Sequence, residues 1–333
     1  MNHVERFSAL MHFQEVDRLP MIEWAGFWGL TTDRWREEGL DASLQGAENI
    51  RAHLGLDPYS QFWMAPGSAE TPKPTHHGSG ILKSEADYDA MYDTLYVGRD
   101  FDSDYCKRVK AENAAGERVV WISFNGFFWN PRTLFGIEGH LFAFYDDPEL
   151  MHRMNRDLLE FNLHMLDRFC DEMCVPQFMT IAEDMSYNHG PMLSKELFDE
   201  FLAPYYRPLV KALRERGIRV FVDSDGDVEP LIPWLKEVGV EGILPLERMA
   251  GVDVANIRRE HPDWLMIGAY DKIVMKDGPE AQRAEFERLL PTMQTGGFIP
   301  SVDHQTPPDV SLTHYRSYLQ LLEAYAARGG RRA

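Results

Sequence analysis

Basic residues are scarce in this chain. Its 34 lysines and arginines face 53 aspartates and glutamates, a formal charge of −19 over 333 residues. No basic stripe is present, and without one a protein cannot displace the counterions that surround a nucleic acid. The same imbalance disfavours a substrate carrying many carboxylates. Cysteine is nearly absent too: Cys106, Cys170 and Cys174 form no disulfide framework. Cys170 and Cys174 lie four apart in the helix-like stretch HMLDRFCDEMC, where they suit a reduced core better than a metal site. No run of 18 apolar residues occurs, and no apolar segment follows a basic start at the amino end. A cytoplasmic protein with no membrane segment is expected. Nor does a glycine-rich phosphate fingerprint follow any strand-like run, so a dinucleotide-binding fold lacks its main support.

What the chain does have is a recurring unit. Short apolar runs, each with a polar or acidic tip and then a helical pattern, occupy residues 19–24, 59–64, 119–124, 178–184, 219–224, 242–247, 264–269 and 297–303. Continuous apolar strands of this kind are buried on both faces, as in a parallel sheet. Between them, 194–217 reads as a helix with a serine cap and a terminal glycine, and 227–239 as another closed by glycine. Eight strands alternating with helices predict one (β/α)₈ barrel domain over residues 1–333. The Pro-, Gly- and Ser-rich stretch 64–80 reads as a long loop after the second strand, with His76 and His77 solvated in it. The tail after about residue 326 reads as frayed.

The strand tips carry the chemistry. The fourth run ends in Glu183-Asp184, the fifth in Asp223-Ser224-Asp225-Gly226-Asp227, the sixth in Glu247, the seventh near Tyr270-Asp271 and the eighth in Asp303-His304. Asp223, Glu247 and Asp271 are spaced by 24 residues, one βα unit, so successive tips are neighbours around a barrel mouth. Acidic groups gathered there repel one another unless a cation binds or some are protonated. Asp227 suits the cap of the next helix. A histidine with carboxylates can hold Zn²⁺, Mn²⁺ or Fe²⁺ and leave a coordination position open for a substrate oxygen. Gly226 lets the chain curl so that Asp223 and Asp225 both face inward. Aromatic side chains crowd other tips: Trp24, Trp28, Trp63, Phe127, Phe128 and Trp129 read as a wall for a flat ligand. Gln61 in the second run and Tyr270 at the seventh tip read as further substrate contacts.

Taken in order, ERFSALMHFQEVDRLPMIEW, EDMSYNHGPMLSKELFDEFLAPYYRPL, VDSDGDVEPLIPWLKEVGVEGILPLE and GGFIPSVDHQTPPDVS resemble the uroporphyrinogen decarboxylase superfamily along nearly the whole chain. The resemblance implies a (β/α)₈ barrel and either porphyrinogen decarboxylation or zinc-dependent methyl transfer linked to corrinoids or coenzyme M. The decarboxylases carry an arginine-rich segment after the first strand and an aspartate after the second; here those places read Glu23-Trp24-Ala25-Gly26-Phe27-Trp28 and Gln61. The methyltransferases carry His-x-Cys after the fifth strand and Cys after the eighth; here those places read Asp223-x-Asp225 and His304.

The resemblance therefore implies a methyltransferase that moves a methyl group from a small methoxylated donor, an aromatic one included, to a partner corrinoid protein. Asp223, Asp225 and His304 would hold a divalent metal, Zn²⁺ first. Asp225, Glu247, His304 and Glu183 form the expected catalytic set, and Trp24, Trp28, Gln61, Phe128, Trp129 and Tyr270 the expected substrate contacts. A decarboxylase or lyase using Asp225 or His304 as proton donor, with Arg132 facing a carboxylate, is the alternative. A homodimer is compatible with either. Without the arginine clamp, each lost charge-assisted hydrogen bond forfeits about 1.5–3 kcal/mol. Uroporphyrinogen is accordingly not expected to be decarboxylated. Coproporphyrinogen formation at ordinary enzyme concentrations would overturn that expectation.

Overall fold

Seven of the eight apolar runs form strands, and all seven pair in parallel. The computed structural model describes residues 1–76 and 78–330, so His77 of the long loop lies outside the described residues. Strands β1 (Tyr59–Trp63), β2 (Val119–Asn125) and β3 (Phe178–Ala182) come first. A two-residue antiparallel ribbon follows, β4 (Ser186–Tyr187) with β5 (Gly190–Pro191). Then come β6 (Arg219–Asp223), β7 (Gly242–Leu244), β8 (Leu265–Tyr270) and β9 (Phe298–Val302). The order in the sheet is β1-β2-β3-β6-β7-β8-β9. Register sets Ala182 beside Asp223 and Asp223 beside Leu244, so the chain leaves these strands at one level. That level is the carboxyl face, where barrel enzymes build their sites.

Helices pack on the sheet for ordinary reasons. The longest, Pro148–Glu172, starts with proline in its first turn, and Asp147 accepts from the Leu150 N–H at 3.1 Å. It buries Met151, Met154, Leu158, Phe161, Met165 and Phe169, one stripe at three- and four-residue spacing. The helix expected over 194–217 forms, capped by Ser194, with a single π turn at Phe198–Leu202 before Ala203–Glu215. The C-terminal helix runs through Leu312–Gly330, and Gly329 and Gly330 are buried. The expected fraying after 326 is therefore incorrect as far as Gly330. A Cβ on Gly330 would press on the Arg18 backbone, which explains how a glycine pair packs there. No helix among the described residues is long and apolar enough to cross a membrane.

The first run, residues 19–24, is the exception: it forms no strand. It lies between the two sheet edges, fastened mainly by side chains. Asp57, just before β1, accepts from Met21 N at 3.0 Å and from Arg18 at 2.6 and 2.8 Å, and its own N–H donates to Met21 O at 2.8 Å. The Tyr59 hydroxyl donates to the Glu23 carbonyl. On the other edge, Glu23 accepts from Ser301 Oγ at 2.8 Å and Val302 N at 3.0 Å, while Trp24 Nε1 donates to Val302 O at 2.7 Å. Pro20 has no N–H to give a ladder, which favours this arrangement over a paired strand. The barrel thus has seven strands and one extended segment that takes the place of the eighth.

Glu23 is fully buried, and desolvation raises its pKa. The neutral acid is thereby favoured, so an amide should replace it. Glu23→Gln is expected to keep stability within about 1 kcal/mol, whereas Glu23→Ala strands two buried donors at about 1–3 kcal/mol each. Urea unfolding of both variants checks this; equal losses in the two would refute the closing role.

Candidate active site at the barrel mouth

The curl after β6 builds one side of the mouth. Gly226 has φ +84°, and a Cβ there would strike the Tyr187 backbone, so glycine is required twice over. Its N–H donates to Glu247 Oε2 at 3.1 Å, tying this curl to the turn after β7. Glu247 Oε1 lies 3.2 Å from Lys272 Nζ, and Lys272 Nζ lies 3.4 Å from Asp303 Oδ1. Asp303 also accepts from Arg248 N at 3.0 Å and Lys272 N at 3.2 Å. His304 Nε2 then stands 3.7 Å from Asp225 Oδ2, closing the circuit. The Trp24 ring meets the His304 ring edge-on at 6.0 Å, so the extended segment fixes this histidine. Asp184, with φ +43°, stands in a strained backbone conformation beside the mouth, and Arg132 Nη1 donates to its carbonyl at 2.7 Å. Asp223, Asp225, Glu247 and His304 thus share the carboxyl face.

Other expected site residues have different duties. Glu183 is fully buried and accepts from the N–H groups of Phe127, Phe128 and Trp129 at 2.8–3.0 Å and from the Tyr206 hydroxyl at 2.5 Å. It anchors the turn after β2 and does not open to the mouth. Phe128 is fully buried too, against His140 and Phe144, so it is core and not a pocket wall. Tyr270 packs between Phe286 and Tyr318 and donates to Gln282 O at 3.2 Å, away from the mouth. Both aromatic assignments are corrected for one reason: their strand or turn aims them into the helix layer. Gln61 donates to Ser123, itself bonded to Thr180 at 2.7 Å, in a polar ladder joining β1, β2 and β3. Trp24 is half-buried at His304, Trp28 is exposed, and Trp129 is half-buried beside Arg132. Asp227 accepts from Glu229 N at 3.3 Å, a local turn bond, while the N-cap position of the turn Glu229–Leu231 is Val228 and not Asp227 as expected.

Of the expected metal set, Asp225 and His304 stand 3.7 Å apart. Among the described residues no three His, Cys, Asp or Glu side chains converge as a metal-binding group. The cation that relieves the crowded carboxylates between β7, β8 and β9 is Lys272.

A protein-family model for uroporphyrinogen decarboxylase (URO-D) matches residues 128–325, more than half of the chain. The chain belongs to the uroporphyrinogen decarboxylase family. No curated protein sequence matches it. Among solved structures, a methyltransferase from Methanosarcina mazei is similar at TM-score 0.65 and 12% identity, covering 98% of this chain and 99% of that one. A B12-independent methionine synthase from Shewanella sp. W3-18-1 has TM-score 0.44 at 12% identity, covering 81% and 96%. A mannanase from Bacillus subtilis has TM-score 0.48 at 11% identity, covering 95% and 88%.

Within this URO-D barrel, desolvation dominates the electrostatics of the mouth. Burial pushes the Asp225 carboxyl up to about 7, with Asp184 and Glu247 adding repulsion and Lys272 opposing it. Burial raises Asp223 well above the usual carboxylate range, with Asp184 and Asp225 adding to the shift. Asp303 rises to about 6 through burial, held back by Lys272 and two backbone N–H groups. His304 is lowered, first by burial and then by Lys272, so it is neutral near pH 7. Burial thus holds protons on Asp223 and Asp225 to higher pH than on a surface carboxyl group. Lys272 was outside the site read from sequence, whereas Asp303 was among its acidic tips. The available signal was a lysine directly after the seventh tip, in Tyr270-Asp271-Lys272.

An acid whose pKa is raised on folding binds more protons in the native state than in the unfolded chain. Stability then falls as pH rises from the unfolded value, near 4, to the folded one, near 7 for Asp225. Asp225→Asn mimics the protonated form at every pH. Its melting temperature relative to wild type should rise between pH 5 and pH 8. A difference that stays flat across that range would show that Asp225 ionises normally.

Proposed function

We propose that this protein transfers a methyl group from the oxygen of a small methoxylated donor to a corrinoid carried by a partner protein. The observation that carries the reading is the pairing of Asp225 with His304 at 3.7 Å on the carboxyl face, where burial pushes the Asp225 carboxyl up to about 7. Breaking a carbon–oxygen bond of an ether leaves an alkoxide or phenolate, and a positioned acid with a pKa near 7 protonates it as it forms. Asp225 supplies that proton, His304 keeps it oriented, and Asp223 and Asp184 keep the acid from ionising early. Lys272 offsets part of the charge on Glu247 and Asp303, which reduces the repulsion that the far wall adds at Asp225. A corrinoid, when docked, supplies the methyl acceptor.

The rim suits a large apolar partner face. Trp28, Trp63, Tyr187, Met249 and Ile273 are exposed, each on a different segment at the carboxyl ends of the barrel. Exposed apolar groups collected on one face mark an interaction surface. The likeness to the Methanosarcina mazei methyltransferase over nearly the whole chain gives the reading further support. The same acid could protonate the carbanion of a decarboxylated substrate, and the unpaired Arg132 favours that second reading.

Three measurements separate these. Methyl transfer from methoxylated donors to a reduced corrinoid is expected spectroscopically, with kcat/KM falling above about pH 7 as Asp225 ionises. Asp225→Asn should lose about 10²–10⁴-fold, the usual worth of a general acid. Carbon dioxide release without corrinoid methylation would instead establish the lyase. Chelator dialysis should leave rate and melting temperature unchanged, and a melting temperature raised by Zn²⁺ would reinstate the metal.

A further inference from the structure

A cavity of about 190 Å³ opens beside the mouth, between the loop after β1 and the helix after β2. Pro74, Gly78 and Ser79 form one wall, and Trp129, Arg132 and Ile137 the other. The walls are fastened together: Ser79 bridges Gly136, Ile137 N donates to Gly78 O at 3.1 Å, and Ile81 N donates to Leu134 O at 2.7 Å. A Cβ on Gly136 would strike the backbone at Gly78–Gly80, so the two segments meet at backbone contact. The slot is thus built into the fold. A dry cavity of roughly 150 Å³ is enough to take up a benzene molecule. This one has room for a single ring.

Among the described residues its one charged wall residue is Arg132. The guanidinium lies 5.2 Å above the Trp129 ring and gives one N–H to the Asp184 carbonyl at 2.7 Å. Among the described residues it makes no ion pair, in a chain with 53 acidic residues. A guanidinium has five N–H donors, and its planar fork matches a carboxylate. Through Asp184 the same side chain borders the acids of the mouth. An apolar one-ring slot with an unpaired cation on its mouth-side wall has the chemistry of a site for an aromatic carboxylate.

We infer that the slot binds a monocyclic aromatic carboxylate, its ring against Trp129 and Ile137 and its carboxylate on Arg132. If methyl transfer is the reaction, the donor is then a methoxylated aromatic acid. That step alone rests on the function proposed above; the binding site does not. One carboxylate on one arginine is compatible with the net charge of −19, whereas a polycarboxylate is not.

Titration of the full chain with 3-methoxybenzoate and with neutral 3-methoxybenzamide, read by tryptophan fluorescence and calorimetry, tests this. The acid should bind about 10- to 100-fold more weakly to Arg132→Gln, the usual loss of a charge-assisted hydrogen bond. The amide should bind both proteins alike. Arg132→Lys keeps the charge but not the fork and should fall between them, and Ile137→Trp should fill the slot and block both ligands. Unchanged melting temperatures show that each variant folds. Equal affinity of wild type and Arg132→Gln for the acid, or binding untouched by Ile137→Trp, overturns the site. Binding as described without methylation of a reduced corrinoid leaves the site standing and defeats the methyl-transfer reading. Methylation unaffected by both substitutions does the reverse.

Discussion

A parallel barrel holds together only if its first and last staves meet, because open edges leave rows of unpaired N–H and C=O groups. In this chain the meeting is made by two buried carboxylates. Asp57 fastens the extended segment to the β1 side, and Glu23 fastens it to β9. Each replaces several rungs of a ladder with a few strong bonds, in which the carboxyl group accepts from N–H and O–H donors. The arrangement also sets the active face. Trp24 follows Glu23, bonds the carbonyl of Val302, and meets His304 two residues further along. Closure of the barrel and placement of that histidine are thus one event.

The mouth obeys a second constraint, the cost of charge in a partly dry space. Asp184, Asp223, Asp225, Glu247 and Asp303 crowd together, and the chain relieves the repulsion in two ways. Between β7, β8 and β9 it inserts Lys272. Around Asp225 and Asp223, desolvation and repulsion keep protons bound instead. The two devices divide the mouth into an ion-paired wall and an acidic wall. His304 stands between them, neutral because burial and Lys272 both disfavour its charge.

Much of the scaffold was legible because buried parallel strands write themselves as unbroken apolar runs. The runs at 59–64, 119–124 and 264–269 match strands within a residue or so. Residues 19–24 carry the same apolar signature, yet that signature reports burial, not pairing, and Pro20 and Asp57 decide the pairing. The acidic tips were legible by their one-unit spacing. Lys272 was not, since one lysine after a strand is commonplace until its neighbours are known. Phe128 and Tyr270 show the converse limit. An aromatic at a tip faces either the mouth or the helices, and only the exit angle of the chain distinguishes them.

Glu183 and Asp225 make the last distinction. Both are carboxylates at or just beyond strand tips, and burial pushes both up to about 7. What separates them is the supply of donors. Gly126 has no Cβ, and one placed there would fall onto the Glu183 carboxylate, so the turn after β2 folds closely around that group. Three backbone N–H groups and the Tyr206 hydroxyl then occupy its oxygens. With its lone pairs engaged, Glu183 organises the start of the helix that bears Trp129 and Arg132. Among the described residues Asp225 pairs only with His304, at 3.7 Å, and its side chain stays 40% exposed. An acid with free oxygens and a retained proton is fit for chemistry, whereas one wrapped in donors is fit for architecture. A raised pKa therefore identifies a reactive group only when its hydrogen bonds have been counted as well.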